Sequence, residues 1–293
     1  MKDFFSLAFN NLRRRKLRSW LTMIGIFIGI AAVVALISLG QGFQGFINQQ
    51  FQQLGGDKII IQSKTLGPPG SATSKSLILT SKDLGVIQNV RGVKDAEGIL
   101  LKSGTVKFKD EIKIIFIAGI TNKYLDMFGN IDATKVIEGR QLKKDDGFKI
   151  VVGYNHIFGD LWKKQAQIGN NLEIEGQEFK IIGVLKKQGN AFDDGSVWME
   201  KSILAELLNV KDEESQIVAK VAEGFDAEKI ADDITRKLRQ SRGEKEGQET
   251  FNVQTAGQLL QTFSSIFSVV QAVLVGIAGI SLLVGGIGIM NTM

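Results

Sequence analysis

Two long parts of this sequence carry no charge. Residues 19–56 and 250–293 contain no Asp, Glu, Lys or Arg, whereas residues 57–249 contain 30 basic and 30 acidic side chains. A water-soluble globular protein distributes charged side chains over its whole surface, because these groups are almost never buried unpaired. The segregation therefore predicts a membrane protein in which a charged, water-exposed domain lies between two apolar segments.

The composition excludes several kinds of chemistry. The chain has no cysteine and one histidine, which excludes a disulfide framework, a zinc–thiolate centre, an iron–sulfur cluster and any motif with two histidine ligands. It contains no G-x-x-x-x-G-K-[ST] loop, so we expect no ATP hydrolysis by a phosphate-binding loop of its own. The net charge of +5 arises within the first 18 residues, beside an apolar run, which favours anionic lipid over nucleic acid as a partner.

The first apolar run, Leu21–Leu39, is close to the roughly 20 residues with which a helix crosses a bilayer. Trp20 stands at its boundary, and residues 1–18 predict a short amphipathic helix on the cytoplasmic leaflet. Basic residues at the end of that helix place the N-terminus in the cytoplasm and residue 40 outside: Arg13, Arg14, Arg15, Lys16 and Arg18. A cleaved signal peptide is the alternative, although its apolar region is usually only about 7–15 residues long.

A second apolar run, Ile266–Met290, predicts a helix that returns through the membrane from outside to inside. Gly25 and Gly29 form a G-x-x-x-G pair in the first span. Small residues also recur in the second span: Gly276, Gly279, Ser281, Gly285 and Gly286. Small residues let helix backbones approach closely in lipid, so we interpret them as dimer contacts, with packing inside one chain as the alternative.

Both uncharged segments are longer than a bilayer requires, since residues 19–56 alone would form about 57 Å of helix against a hydrocarbon layer of ~30 Å. The surplus carries apolar side chains at helical spacing, which predicts helical stalks within residues 19–54 and 255–293 whose apolar stripes could pack together. Ordinary packing at helix ends is the alternative. The stalk residues are Phe43, Phe46, Ile47, Phe51, Leu54, Val253, Leu259, Leu260 and Phe263.

The charged domain alternates short strands and helices, which predicts an α+β fold. Its first and last parts each read as a β-α-β unit, so we expect a membrane-proximal lobe formed by residues 55–137 and 201–254. Residues 138–200 would form an inserted β-rich lobe. Among the individual elements, we predict two strands separated at Gly104, a helix capped by Ser81, a second helix capped by Thr121, and a helix over Asn155–Lys164.

The residues that could carry chemistry do not form a constellation. His156 has no nucleophile or metal ligand at a suitable spacing, so we interpret it as a structural histidine. Asp193 and Asp194 are adjacent in a loop and supply too few ligands for a cation. Trp162 and Trp198 are predicted to fill the core. The sequence therefore predicts no catalytic residue, no metal site and no cofactor site on this chain.

The most specific motifs lie at the two ends of the chain. Residues 7–12 (LAFNNL), 16–26 (KLRSWLTMIGI) and 28–33 (IGIAAV) resemble the opening of MacB/FtsX-type ABC transporter permeases, and residues 283–291 (LVGGIGIMN) resemble their second transmembrane helix. Between them, Glu138-Gly139-Arg140 and the run Phe179–Val184 are similar to the extracytoplasmic core domain of the same family. The resemblance extends over the whole chain.

The resemblance implies four transmembrane helices with a two-lobed outer domain between the first and second. It further implies work as a dimer with a cytoplasmic ABC ATPase, whose closure moves the outer domains through helical stalks. The ATPase would be a separate subunit, because no such domain precedes residue 1. The family's third and fourth helices would follow residue 293, so we interpret the sequence as truncated at its C-terminus.

Two functions remain open from the sequence. The first is the permease subunit of a MacB-like exporter that expels or extracts substrate, and the alternative is a non-transporting FtsX-like regulator that transmits motion to a cell-envelope partner. In either case we expect no enzyme activity, with ATP and Mg²⁺ bound by the ATPase. The expected partners are that ATPase, a second copy or a related permease, membrane lipid and an extracytoplasmic adaptor. The expected location is the cell membrane, with residues 55–254 outside.

Overall fold

The computed structural model describes residues 24, 27, 30, 31, 33–45, 56–64, 78–129 and 131–290 of the 293-residue chain. The chain divides into two compact units, one formed by Met1–Phe51 with Gln258–Met293 and the other by Gln52–Gly257. Some predicted features lie outside the described residues: residues 1–18 with their basic cluster, Trp20, Gly25, Gly29, Phe46, Ile47, Phe51 and Leu54.

The second unit, the outer domain, is a mixed α/β structure. Its strands are β1 (Lys58–Ser63), β2 (Val93–Phe108), β3 (Glu111–Ile120), β4 (Val136–Gly139), β5 (Lys149–Val152), β6 (Asn171–Ile174), β7 (Gln177–Leu185), β8 (Val197–Glu200), β9 (Gln216–Val221) and β10 (Phe251–Thr255). The helices of the described chain are α1 (Val33–Gly45), α2 (Ser81–Gln88), α3 (Asn122–Phe128), α4 (Ala191–Asp194), α5 (Lys201–Leu207), α6 (Ala227–Arg242) and α7 (Ala256–Met290).

The strands of the outer domain form one path of pairings in the order β10-β1-β9-β2-β3-β8-β5-β7-β4, with β6 beside β2 and β7. Most neighbours are antiparallel, whereas β3 with β8 and β5 with β7 are parallel. Strand β2 connects the two parts of this path because it changes its neighbouring strand midway along its length. Its first half pairs with β9 up to Ile99, and its second half pairs with β3 from Leu100 onward.

Strand β2 is therefore one strand of 16 residues, and the predicted break at Gly104 is wrong. Gly104 keeps its place in the ladder opposite Ile115. An added β-carbon at Gly104 would lie 2.7 Å from Ile117 Cδ1, so the glycine lets that core side chain approach the strand. A glycine inside a strand often marks such a close approach, which the sequence pattern does not distinguish from a turn.

Buried apolar side chains of the outer domain form two main clusters. The terminal core draws on the two ends of the domain and includes Ile59, Ile61, Leu79, Ile87, Ala96, Ile217, Ala219, Ile234 and Leu238. The central core includes Leu100, Val106, Phe108, Ile117, Ile150, Trp162, Phe179, Ile181, Met199 and Leu204. On β2 the terminal core ends at Ala96 and the central core begins at Leu100, and the predicted lobe boundaries at residues 138 and 200 stay a prediction.

The helix starts follow side-chain capping. Thr121 caps α3 as predicted, since its side chain accepts a hydrogen bond from the Tyr124 N–H. The cap of α2 is Thr80 and not Ser81, because Thr80 forms a capping box with Asp83. Ser81 is the first helical residue, so the prediction missed the start by one position.

The predicted helix over Asn155–Lys164 is wrong. Only Tyr154–His156 form a short 3₁₀ turn, and the following residues are turns and bends. The Ala166 N–H donates to the His156 carbonyl at 3.1 Å, which folds the segment back on itself. This fold buries the Trp162 side chain in the central core, and that burial outweighs the helical pattern of the sequence.

The first unit contains the apolar helices α1 and α7. Among the described residues, one stretch, Ala256–Ile277, is long and apolar enough to cross a membrane, with a mean hydropathy of 1.7. Helix α7 itself extends without interruption to Met290. Helix α1 is a shorter apolar helix, and 8 of the 19 residues of the predicted first span lie outside the described residues. The arrangement with two spans therefore stays a prediction.

Candidate functional site

Helices α1 and α7 contact each other along one face of each within the first unit. The Gln44 side-chain amide donates a hydrogen bond of 2.5 Å to the Ser264 hydroxyl. The rings of Phe43 and Phe267 stack with their centroids 4.5 Å apart. Contacts that lie further along α7 involve earlier residues of α1, so the two helices are antiparallel. We call these contacts, together with the one between Gly40 and Gln271, the helix clasp.

Gly40 allows the closest approach in the clasp. It is buried, and an added β-carbon would lie 2.6 Å from Gln271 Nε2, which is too close for any larger residue without movement. Gly42 and Gly45 on the same helix have no atom within 4 Å of such a β-carbon. Of these three glycines, Gly40 is the one at which an added β-carbon would meet a described residue of α7.

The predicted site residues fall into different surroundings. Phe43 lies in the clasp, while Leu259, Leu260 and Phe263 lie in α7. Val253 is not in α7, which begins only at Ala256. It lies in strand β10, where it pairs with Ile61 of β1. The helix-packing residues of the second span also lie in α7, and a β-carbon added to any of three of them would meet no atom of the described residues within 4 Å: Gly276, Gly279 and Gly286. The backbones of Ser281 and Gly285 lie in α7 as well.

Sequence reasoning missed the polar members of the clasp. Gly40 and Gln44 are four residues apart, and Ser264, Phe267 and Gln271 follow the i, i+3, i+7 spacing of one helix face. Polar side chains on an otherwise apolar helix commonly hydrogen-bond to a neighbouring helix in lipid. This spacing was the available signal, and the search for apolar stripes did not use it.

A network around Arg242 joins three elements of the terminal core. Its guanidinium donates to both carboxylate oxygens of Asp83 in α2, at 3.0 and 2.7 Å, and to the Ile78 carbonyl at 2.8 Å. It also donates to the Thr250 hydroxyl beside β10 at 2.9 Å. Burial acts to raise the pKa of Asp83, but the bonds from Arg242 and Thr80 outweigh it and hold the pKa below its ordinary value.

His156 is fully buried and has a partner on each ring nitrogen. Its Nε2 lies 3.0 Å from the Gly195 carbonyl oxygen, which can only accept, so Nε2 carries the hydrogen. Its Nδ1 accepts from the Trp162 indole N–H at 3.2 Å. Burial lowers the pKa of His156 to about 4, although the Gly195 carbonyl acts in the opposite direction. Both bonds suit the neutral ring.

The described residues contain no group of three or more His, Cys, Asp and Glu side chains that could hold a metal ion. Asp194 accepts from the backbone N–H groups of Gln188 and Gly189 at 2.7 and 2.9 Å, while Asp193 Oδ2 accepts from the Asn190 amide. These carboxylates stabilise the turn around α4. Trp198, half-buried, packs in a smaller cluster on the opposite face of the sheet from the central core.

A family model covers most of the chain. Residues 19–237 match the family described as MacB-like periplasmic core domain. The chain belongs to this MacB-like family. The match includes nearly all of the outer domain, and it agrees with the motifs at both ends that resemble MacB/FtsX-type permeases.

Several MacB-like relatives align along nearly the whole chain. A protein named uncharacterized ABC transporter permease MJ1507, from Methanocaldococcus jannaschii, is 33% identical over 99% of this chain and 71% of its own length. The macrolide export ATP-binding/permease protein MacB of Neisseria meningitidis is 26% identical over 99% of this chain, which spans only 45% of that protein. The permease YknZ of Bacillus subtilis is 24% identical over 98% of the chain and 72% of YknZ.

Solved structures show the same fold. The periplasmic region of MacB from Actinobacillus actinomycetemcomitans superposes with a TM-score of 0.57 at 17% identity, covering 74% of this chain and 97% of that one. The extracellular domain of YknZ gives a TM-score of 0.50 at 20% identity, covering 68% and 100%. The MacB-like chain is thus an ABC transporter permease of MacB/YknZ type, a membrane protein with a mixed α/β extracytoplasmic domain.

Proposed function

We propose that this chain is the permease subunit of a MacB-like exporter, and that a separate cytoplasmic ABC ATPase binds ATP with Mg²⁺ and supplies the energy. The relatives MJ1507 and YknZ are named permeases, whereas the Neisseria protein is named an ATP-binding/permease protein and extends well beyond the region matched here. The sequence of this chain contains no phosphate-binding loop. This division of labour makes the chain a non-catalytic subunit.

The helix clasp is the observation that carries the mechanical part of the proposal. A hydrogen bond and a stacked ring pair fix the register of α1 on α7, so sliding one helix past the other would break both contacts. Strand β10 ends at Thr255 and α7 begins at Ala256, so the chain passes from strand to helix without a loop. A displacement of the helix pair is then delivered to the outer domain, which expels or extracts substrate.

The remaining partners belong to the same proposal. The second copy, or a related permease, would pack on the glycines of α7 at which an added β-carbon would meet no atom of the described residues. Lipid would surround the apolar side chains that α7 exposes, such as Val269 and Ile280. An extracytoplasmic adaptor would bind the outer domain, whose lobes would be residues 55–137 with 201–254 and residues 138–200. The N-terminus would lie in the cytoplasm.

The coupling role is tested by comparing Gly40→Leu with Gly42→Leu. The full-length protein is co-purified with its ATPase, and a fluorophore on Lys164→Cys reports movement of the outer domain when ATP is added. We expect the response in the unmodified protein and in Gly42→Leu. We expect its loss in Gly40→Leu, because the new side chain displaces Gln271 and separates the helices.

The outcomes distinguish the two parts of the proposal. Failure to bind any ABC ATPase would remove the proposal that a separate ATPase drives this chain. Binding with an ATP response that persists in Gly40→Leu would leave that proposal and remove the clasp as the coupling element. ATP-dependent capture of a cell-envelope enzyme, without release of any substrate, would favour the FtsX-like regulator.

The proposed topology predicts an asymmetric labelling pattern. The 293 residues contain no cysteine, so each introduced thiol is the only one among them. A membrane-impermeant thiol reagent added to intact cells is expected to label Lys164→Cys, which is exposed on the outer domain, and not Arg14→Cys. After permeabilisation both positions are expected to react. Labelling of Arg14→Cys in intact cells would reverse the orientation.

A further inference from the structure

One face of strand β2 belongs to both cores of the outer domain. Ala96 lies in the terminal core and Leu100 lies in the central core. Because side chains alternate along a strand, both point to the same face, and so does the position between them. That position is Gly98, which has no side chain. Along β2, the apolar surface is therefore interrupted where one core ends and the other begins.

An ion pair between a partly buried lysine and a buried glutamate fills the space above Gly98. Lys201 Nζ lies 2.5 Å from Glu214 Oε1 and 3.2 Å from the Gly98 carbonyl oxygen. A β-carbon at Gly98 would overlap the Glu214 carboxyl. Glu214 is 2% exposed, and its Oε2 has no hydrogen-bond partner in the described part of the chain. We call Gly98, Lys201 and Glu214 the seam.

The chain connects the two cores at the seam. Strand β2 is one connection, and residues 208–215, between α5 and β9, are the other. Ser215 occupies the point where β2 changes partner. Its N–H donates to the Ile99 carbonyl at 2.8 Å, and its hydroxyl accepts from the Leu101 N–H at 2.9 Å. These hydrogen bonds join Ser215 to strand β2 at the point where β2 changes its pairing partner, and they involve no apolar contact.

The opposite face of the sheet is closed by apolar packing. Met127 and Phe128 of α3 pack against Val218 of β9. The neighbouring residue Tyr124 contacts this cluster and also the cluster that contains Ile99. One face of the junction therefore carries the seam, and on the other face α3 holds the sheet by apolar contacts beside the ion pairs of Lys123 with Asp95 and Glu97.

The polar seam weakens the contact between the cores. Moving charges out of water costs more than their attraction returns unless the remaining lone pairs are satisfied, and Glu214 Oε2 has no partner among the described residues. Burial raises the pKa of the Glu214 carboxyl, although Lys201 acts in the opposite direction. The raised pKa has the same cause, the cost of removing the carboxylate charge from water. Opening of the seam would hydrate both groups, whereas an apolar pair would favour the closed state.

We propose that the outer domain has a hinge that opens at the seam. The terminal and central cores swing apart on the side of Gly98, Lys201 and Glu214, while β2 and α3 hold the other side together. The hinge is a property of the outer domain and does not depend on the proposed transport function. It gives the domain two states that differ in whether water reaches Glu214.

The hinge is tested by distances across the seam. Spin labels on Glu206→Cys in α5 and Asp232→Cys in α6 lie on exposed positions of the two helices that cover the cores, in a chain without other cysteines. Pulsed electron paramagnetic resonance on the full chain in nanodiscs is expected to show a short and a long distance. In Lys201→Met/Glu214→Leu, the long-distance fraction is expected to fall at least about fivefold, the factor that about 1 kcal/mol produces.

Two further variants decide the result if the apolar pair does not fold. Gly98→Ala places a β-carbon against the Glu214 carboxyl and is expected to increase the long-distance fraction. Lys107→Met/Glu173→Leu removes an exposed ion pair at 3.3 Å between strands β2 and β6, away from the seam, and is expected to leave the distribution unchanged. A single narrow distance in the unmodified labelled chain, or equal changes in the seam and control pairs, would overturn the proposal.

Discussion

Arg242→Ala is expected to lower the free energy of unfolding of the outer domain by about 3–5 kcal/mol, the usual cost of removing one partner from a buried ion pair. The Asp83 side chain is 5% exposed and would lose two bonds from the guanidinium. The Ile78 carbonyl and the Thr250 hydroxyl would each lose a donor as well. The measurement is a urea titration of the detergent-solubilised chain, followed by the β-sheet signal in circular dichroism.

Arg236→Ala is the matched control, because it removes the same side chain from the same helix. Arg236 pairs with Asp233 on the surface, where its side chain is 59% exposed. Exposed pairs contribute about 0–1 kcal/mol, so we expect a change of that size. If both variants unfold at the same urea concentration, the Arg242 network does not stabilise the terminal core.

Acid is expected to weaken the outer domain through His156. The pKa of its ring is about 4 in the folded protein and about 6.5 in the unfolded chain. The unfolded state therefore binds the proton more tightly. Stability is highest above pH 6.5, and about 3 kcal/mol is lost as the pH falls to 4. A proton on Nδ1 also makes that nitrogen a donor that faces another donor, because the Trp162 indole N–H points at it.

The single histidine makes this prediction directly measurable. The ring protons of His156 give the only histidine signals in a proton NMR spectrum, and we expect no titration between pH 7 and 5.5. Urea titrations at several pH values give the linked loss of stability. His156→Gln removes the titrating ring and is expected to flatten that slope, although it lowers stability at pH 7. A ring that titrates near pH 6.5 in the folded protein would contradict the buried neutral tautomer.

Much of the fold could be predicted because strand alternation and capping are local signals. The alternation of short strands and helices and the cap of α3 at Thr121 were both predicted, and the structure has both. Strand β4, Val136–Gly139, was missed because it is a short edge strand and none of its residues is buried. A sequence pattern predicts a strand from the alternation of buried and exposed residues, and β4 has no such alternation.

The failures have a common cause in long-range packing. Gly104 stays inside a strand because the core residue Ile117 needs the space, and residues 157–164 leave the helical pattern because Trp162 is buried beside His156. The helix clasp was only half predicted, since Phe43 was in the apolar stripe and its polar neighbours were not. Which residue of a second helix meets Gly40 depends on the register of the pair, and no local pattern contains that register.

The length of β2 has a consequence for how force travels through the outer domain. Sixteen extended residues span roughly 50 Å, and a chain that is already near full extension cannot lengthen. A pull on the hairpin tip at Phe108 therefore reaches Val93 as a displacement of nearly the same size. The strand is a tether of fixed length between the far end of the domain and its terminal sheet.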